Sequence, residues 1–116
     1  AETQSVLWAR VLDRLAGPNP PALVCVDPRM TPVARAASVH VAPRPGTNVA
    51  LMNGLLHEII ANGWVDHDYI DAHVVGFDEL SQRVADYPPE HVAAICDVPA
   101  DRIREAARVL GTAKRL

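Results

Sequence analysis

Two short apolar runs, Ala22-Leu23-Val24-Cys25-Val26 and Val39-His40-Val41, lie about a dozen residues apart, and that spacing constrains the fold more than any other feature. The first run is continuously apolar, rich in β-branched residues and too short for a buried helix. It reads as a strand covered on both faces, as strands of parallel sheets are. Pro18, Pro20 and Pro21 precede it and Asp27-Pro28-Arg29 ends it. The interval to the second run is near the lower limit for a parallel βαβ crossover. Thr31-Pro32 starts a short helix inside that interval, with Thr as N-cap and Pro in the first turn.

The remainder reads as helix. From Ser5 to Ala16, Val6, Leu7, Val11, Leu12 and Leu15 recur at helical spacing, and Gly17 is placed to end the helix. Pro43-Arg44-Pro45-Gly46 forms a rigid turn, after which Thr47 or Asn48 caps a helix. Its expected apolar face is Val49, Met52, Leu55, Leu56, Ile59 and Ile60, and Asn62-Gly63 stops it. Asp66 caps a turn containing Tyr69 and Ile70. Further helices run from Phe77 to about Ala85, from Pro88-Pro89 through Val92 and Ile95, and from near Pro99 through Ile103, Ala106, Ala107 and Leu110. The expected fold class is α/β: a partial Rossmann-like domain with a short parallel βαβ unit and a helical second half, one unit over residues 1–116.

Composition narrows the function by exclusion. The net charge is −3 and the basic residues are scattered among acids, so neither nucleic acid nor an anionic membrane surface is an expected partner. No apolar run approaches the roughly 18 residues of a membrane span. Ala1-Glu2-Thr3-Gln4 lacks the basic-then-apolar pattern of a secretion signal. Cys25 and Cys96 stand in unrelated contexts and read as small buried hydrophobes, which fits a reducing, cytoplasmic setting. A helical pattern begins close to Ala1 and another ends just before Lys114-Arg115-Leu116, which points to a segment of something longer.

Chemistry is expected at two loops, because each follows the C-terminal end of a parallel strand, the edge where open α/β sheets bind nucleotides. In Asp27-Pro28-Arg29, the carboxylate suits ribose hydroxyls or a guanine edge and the guanidinium suits phosphate. The same triplet equally reads as a tight turn closed by its own ion pair. In Pro45-Gly46-Thr47-Asn48, Gly46 permits close backbone approach and the following helix start offers unpaired N–H groups; ordinary capping is the other reading. Neither loop carries GxGxxG or GxxxxGK[ST]. His40, His57, His67, His73 and His91 form no ligand spacing and read as surface or supporting groups. Asp66/Asp68 and Asp78/Glu79 read as helix starts. No catalytic residue and no metal ligand is assigned.

Taken in order, the strand, Asp-Pro-Arg, a short second strand, Pro-Gly-Thr-Asn, a helix carrying Gly54 and His57, and Asn62-Gly63 resemble the molybdopterin oxidoreductase family. The opening Ala1-Glu2-Thr3-Gln4-Ser5-Val6 looks like the end of that family's Asn-x-Ala-Glu-x-His-Pro stretch, and His73-Val74-Val75-Gly76-Phe77 extends the likeness. The resemblance implies a fragment of the cofactor-binding α/β domain. That domain helps hold the guanosine end of a molybdopterin guanine dinucleotide, the bis-MGD form that carries molybdenum. It implies Glu2, Thr3, Asp27, Arg29, Gly46, Thr47 and Asn48 as cofactor-binding residues, an iron–sulfur cluster elsewhere in the parent, and a fragment inactive alone. Its partner is the rest of the parent enzyme, and uncovered apolar surface implies self-association of the fragment. Asn53-Gly54-Leu55-Leu56-His57 and His73-x-x-Gly76-Phe77-Asp78-Glu79-Leu80 look most like assimilatory nitrate reductases; the alternatives are a formate dehydrogenase-like parent or a helical interaction module without nucleotide binding. The family commonly has Asp at the positions of Ser38 and Asn48. A carboxylate accepts both of guanine's adjacent N–H donors, whereas an amide offers one acceptor and one donor.

Overall fold

A parallel strand pair needs a crossover that returns the chain to the same edge, and Thr31 supplies its start. In the computed structural model, which describes residues 4–114, helix α1 spans Ser5–Leu15 and strand β1 spans Val24–Val26. Helix α2, Pro32–Ala36, fills the crossover to strand β2, Val39–Val41. The Thr31 hydroxyl accepts a hydrogen bond from the Ala34 N–H at 3.2 Å, satisfying one of the unpaired donors of the helix start. The strands are parallel, with Val24 opposite Val39, Cys25 opposite His40 and Val26 opposite Val41, as expected from the two apolar runs.

Beyond the sheet the chain is helical: α3 (Asn48–Ala61), α4 (His67–His73), α5 (Phe77–Val84), α6 (Pro89–Cys96) and α7 (Ala100–Gly111). The core forms among α3, α6 and α7, with α7 lying against one face of the sheet. Val39, Val41, Leu51, Leu55, Val92, Cys96, Ile103, Ala106 and Ala107 are buried together there, with Val24 packed against them. Side chains alternate along a strand, so Cys25 and His40 face the other side, where α2 contacts both strands. Burial pushes the Cys25 thiol up, and the Asp27 charge adds to the shift. The thiol stays neutral and unreactive, in keeping with its reading as a buried hydrophobe.

Two local expectations need correction. Leu23 was expected within β1, yet the strand begins at Val24. The Leu23 carbonyl still accepts from the Ser38 and Val39 N–H groups, at 2.9 and 3.2 Å. Its own N–H, however, goes to the Ser38 hydroxyl at 3.2 Å, which replaces a ladder bond. The apolar face of α3 is also rotated from the one expected. Val49 is 75% exposed and Met52 44%, while Leu51, Gly54 and Leu55 are buried. Gly54 decides this: a Cβ there would lie 2.9 Å from a Val92 methyl carbon, so α6 lies against the glycine side of α3.

Helix α1 contributes no buried residue, and Val6, Leu7, Val11 and Leu12 are exposed. Among the described residues, no helix is long and apolar enough to cross a membrane.

Candidate functional site

The end of β1 and the start of α3 face a common space. The last bond of the ladder runs from the Asp27 N–H to the Val41 carbonyl at 3.1 Å, and the chain then turns through Pro28, which has no N–H to continue the pairing. The Asp27 carboxylate closes this turn. Its Oδ1 accepts from the Arg29 backbone N–H at 2.8 Å and from Arg29 Nε at 3.2 Å. Its Oδ2 accepts from the second guanidinium nitrogen at 3.2 Å. The local ion pair left open by the sequence is therefore present.

The pair also borders a cavity of about 420 Å³, whose lining is Val26, Asp27, Pro28, Arg29, Pro43, Asn48 and Met52. All three residues of the first loop and one of the second, about 20 positions apart in the chain, thus share one space at the C-terminal end of the strand pair. The Asn48 amide has no hydrogen-bond partner among the described residues. Val26, Pro43 and Met52 supply apolar walls between the polar groups.

The other expected residues are placed differently. Gly46 is exposed with φ 89°, a left-handed conformation that favours glycine, and it shapes the turn without lining the cavity. Thr47 occupies the N-cap position of α3 but makes no capping bond with its side chain. Its hydroxyl donates backward to the Arg44 carbonyl at 2.7 Å, because that acceptor lies closer to hand within the turn. Asn48 is the first helical residue rather than the cap. Glu2 and Thr3 lie outside the described residues.

Sequence reasoning missed Val26, Pro43 and Met52 as cavity walls. Met52 was legible in principle, since it lies four residues after Asn48 and so on the same helix face. Its apolar spacing instead places it on the expected core face. His40 was read as a surface or supporting group; it touches the first loop from behind, with its Nε2 2.8 Å from the Asp27 carbonyl. Among the described residues, no group of three or more His, Cys, Asp or Glu converges as a metal site.

Hydrogen bonds from the Arg29 side chain, and then from its backbone N–H, hold the Asp27 carboxyl below the usual Asp range. A lowered folded value means the pair stabilises the fold above the ordinary Asp value and is lost as pH falls through the lower one. We expect a ¹³C NMR titration to give Asp27 a midpoint below that of an unstructured Asp. In Arg29→Ala that midpoint should rise part of the way back, because the N–H of residue 29 remains. A midpoint unmoved by this substitution would show that the guanidinium does not hold the carboxylate.

No family model matches the chain, but individual relatives do. The alpha subunit of F420-dependent formate dehydrogenase from Methanocaldococcus jannaschii is 34% identical over 80% of this chain and 14% of its own length. Nitrate reductase from Synechocystis is 35% identical over 79% of this chain and 13% of its own. The solved structure of acetylene hydratase from Pelobacter acetylenicus superposes on 80% of this chain and 13% of its own, with a TM-score of 0.77 and 38% identity. The chain therefore spans about one-seventh of the length of the relatives it matches. Sequence likeness at this level over most of the chain, together with the matching backbone, shows that it belongs to the molybdopterin oxidoreductase family.

Proposed function

We propose that this chain is a segment of a molybdenum-dependent oxidoreductase, nitrate reductase-like, that holds the guanosine end of a molybdopterin guanine dinucleotide. The observation that carries the reading is the shared cavity of Asp27, Arg29 and Asn48 at the strand ends. The donor set fits such a group. A carboxylate suits ribose hydroxyls or a base edge, a guanidinium suits a phosphate, an unpartnered amide suits a base edge, and Met52 with Val26 suits a ring face. The proposed arrangement is the piece of a Rossmann-like sheet that the two parallel strands and their crossover represent.

The relatives support a shared role over a reaction-specific one. Proteins named for formate oxidation, nitrate reduction and acetylene hydration match this same segment at 34–38% identity. A segment common to unlike reactions serves something they have in common, such as a cofactor. The molybdenum centre would supply the two-electron chemistry, and its ligand and any iron–sulfur cluster would lie elsewhere in the parent. This chain orients and binds, and alone it is inactive. The rest of the parent would cover the apolar face of α1, and the parent would act in the cytoplasm. Nitrate as substrate rests on Asn53–His57 and the His73–Leu80 stretch. An assay of the complete enzyme for nitrate reduction against formate oxidation decides between the two.

Titrating the chain with GMP and with AMP by NMR tests the binding reading. GMP should move the signals of Asp27 and of residues 46–48 more than AMP does. Affinity should be weak, because the pterin half of the ligand is missing. Asp27→Ala should remove a charge-assisted contact and put weak binding beyond detection. Equal shifts for the two nucleotides would defeat the guanosine assignment, and no shift from either would favour a helical interaction module.

A further inference from the structure

The Asp27 carbonyl sits where the parallel ladder stops. Its N–H makes the last ladder bond, to Val41. Pro28 follows, and within the turn the Arg29 N–H donates to the Asp27 carboxylate and the Thr31 N–H to the Arg29 carbonyl at 3.0 Å. Neither of these two bonds reaches the neighbouring strand. His40 reaches Asp27 from that strand. It stands opposite Cys25, and two residues of strand rise separate that position from Asp27, roughly 6–7 Å, a span an imidazole reaches. Its Nε2 lies 2.8 Å from the Asp27 carbonyl oxygen. A carbonyl can only accept, so the ring nitrogen donates and the ring is held as the Nε2–H form. His40 does not line the cavity.

We propose that His40 is a positioning residue of the site: by holding the Asp27 carbonyl it sets the direction in which the Asp27 carboxylate and Arg29 face the cavity. The peptide that His40 grips is the one from which the carboxylate branches, so releasing it lets the turn rotate about the Asp27 backbone while the ladder bond stays intact. The consequence falls on the site more than on the core, because His40 is on the α2 side of the sheet and Val39 and Val41 carry the packing on the other. Gln suits the same task, since its terminal amide also donates at the end of a side chain of similar reach. Phe keeps the bulk and removes the donor.

The test compares wild type, His40→Gln and His40→Phe at a temperature where all three are folded. The ring ¹⁵N spectrum of the wild type should show the Nε2–H form. GMP should bind His40→Phe about five- to tenfold more weakly than wild type, the cost of one lost hydrogen bond, and His40→Gln should recover most of the difference. A purely structural role would lower the unfolding temperature of His40→Phe and leave the GMP affinity of the folded protein unchanged. The GMP arm rests on the nucleotide reading above, so a second arm needs no ligand. The Asp27 titration midpoint should stay low in His40→Gln and rise in His40→Phe, because the Arg29 bonds depend on the same turn. Both variants lack the imidazole ring, so a difference between them reads the donor and not the ring itself. An Nδ1–H ring, or a His40→Phe protein with wild-type Asp27 behaviour, would overturn the proposal. If wild type ignores GMP while the Asp27 midpoint still separates Gln from Phe, the nucleotide reading falls and the positioning role stands.

Discussion

Leu51→Ala is expected to lower stability by about 3–4 kcal/mol, the middle of the range for truncating a fully buried leucine. Leu51 has no exposed surface and sits in the cluster that α3, α6 and α7 form with the strand residues Val39 and Val41. Its neighbours come from helices that other contacts hold in place, so the site collapses only partly and a cavity adds to the lost transfer energy. Domains of this size have roughly 5–15 kcal/mol in total, so the variant stays folded at room temperature with little margin. Urea unfolding should show a lower midpoint at unchanged slope, and melting should fall by on the order of 10 °C. A loss below about 1 kcal/mol would mean that α3 does not pack as described. Asn48 and Met52 lie on the cavity side of the same helix, so the Asp27 titration midpoint of the folded fraction should be unchanged.

Gly54→Val should cost about 3 kcal/mol, although almost any residue is a better helix former than glycine. The two effects oppose each other and their sizes decide. Removing glycine from a helix interior gains at most about 1 kcal/mol, and valine recovers less of that than alanine because its branched Cβ is restricted in a helix. Against this, a Cβ at position 54 would lie 2.9, 3.0 and 3.2 Å from Cγ2, Cγ1 and Cβ of Val92. Overpacking a close-packed core costs typically about 1–3 kcal/mol, occasionally more, and valine brings two carbons beyond that Cβ. Val92 is fully buried and cannot swing aside. Adding Val92→Ala should return more than 1 kcal/mol, because it removes the methyl carbons that the new side chain meets. A double-mutant cycle measures that coupling. Additive effects would show that α3 and α6 can slide apart and that the close approach is not fixed.

The Asp27–Arg29 pair illustrates why a site of this kind is hard to judge from local geometry. The same three hydrogen bonds that close the turn also present a carboxylate and a guanidinium to the cavity. Turn closure and ligand contact are not alternatives here. A ribose or phosphate would compete with an intramolecular partner, which favours a ligand that engages both groups at once. The ion pair itself is on the surface, where such pairs contribute little to stability, and its consequence is orientation.

Much of the architecture follows from the sequence for reasons that act over short distances. A five-residue apolar run is long enough for a strand and too short for a helix, and a dozen residues with a Thr-Pro start can only just cross over a parallel pair. Those local facts determine the order of elements, the parallel pairing and the position of both loops at one end of the sheet. Tertiary packing decided the rest. Which face of α3 is buried depended on where α6 could approach, and Gly54 opposite Val92 settled that against the more obvious apolar stripe through Val49 and Met52. That rotation turned Met52 from an expected core residue into a wall of the cavity beside Asn48. The hold of His40 on Asp27 was equally out of reach, since it joins residues 13 positions apart and exists only once the strands are in register. Periodicity records which residues avoid water, whereas the choice between neighbouring faces, and a bond between two strands, depends on partners that are distant in the chain.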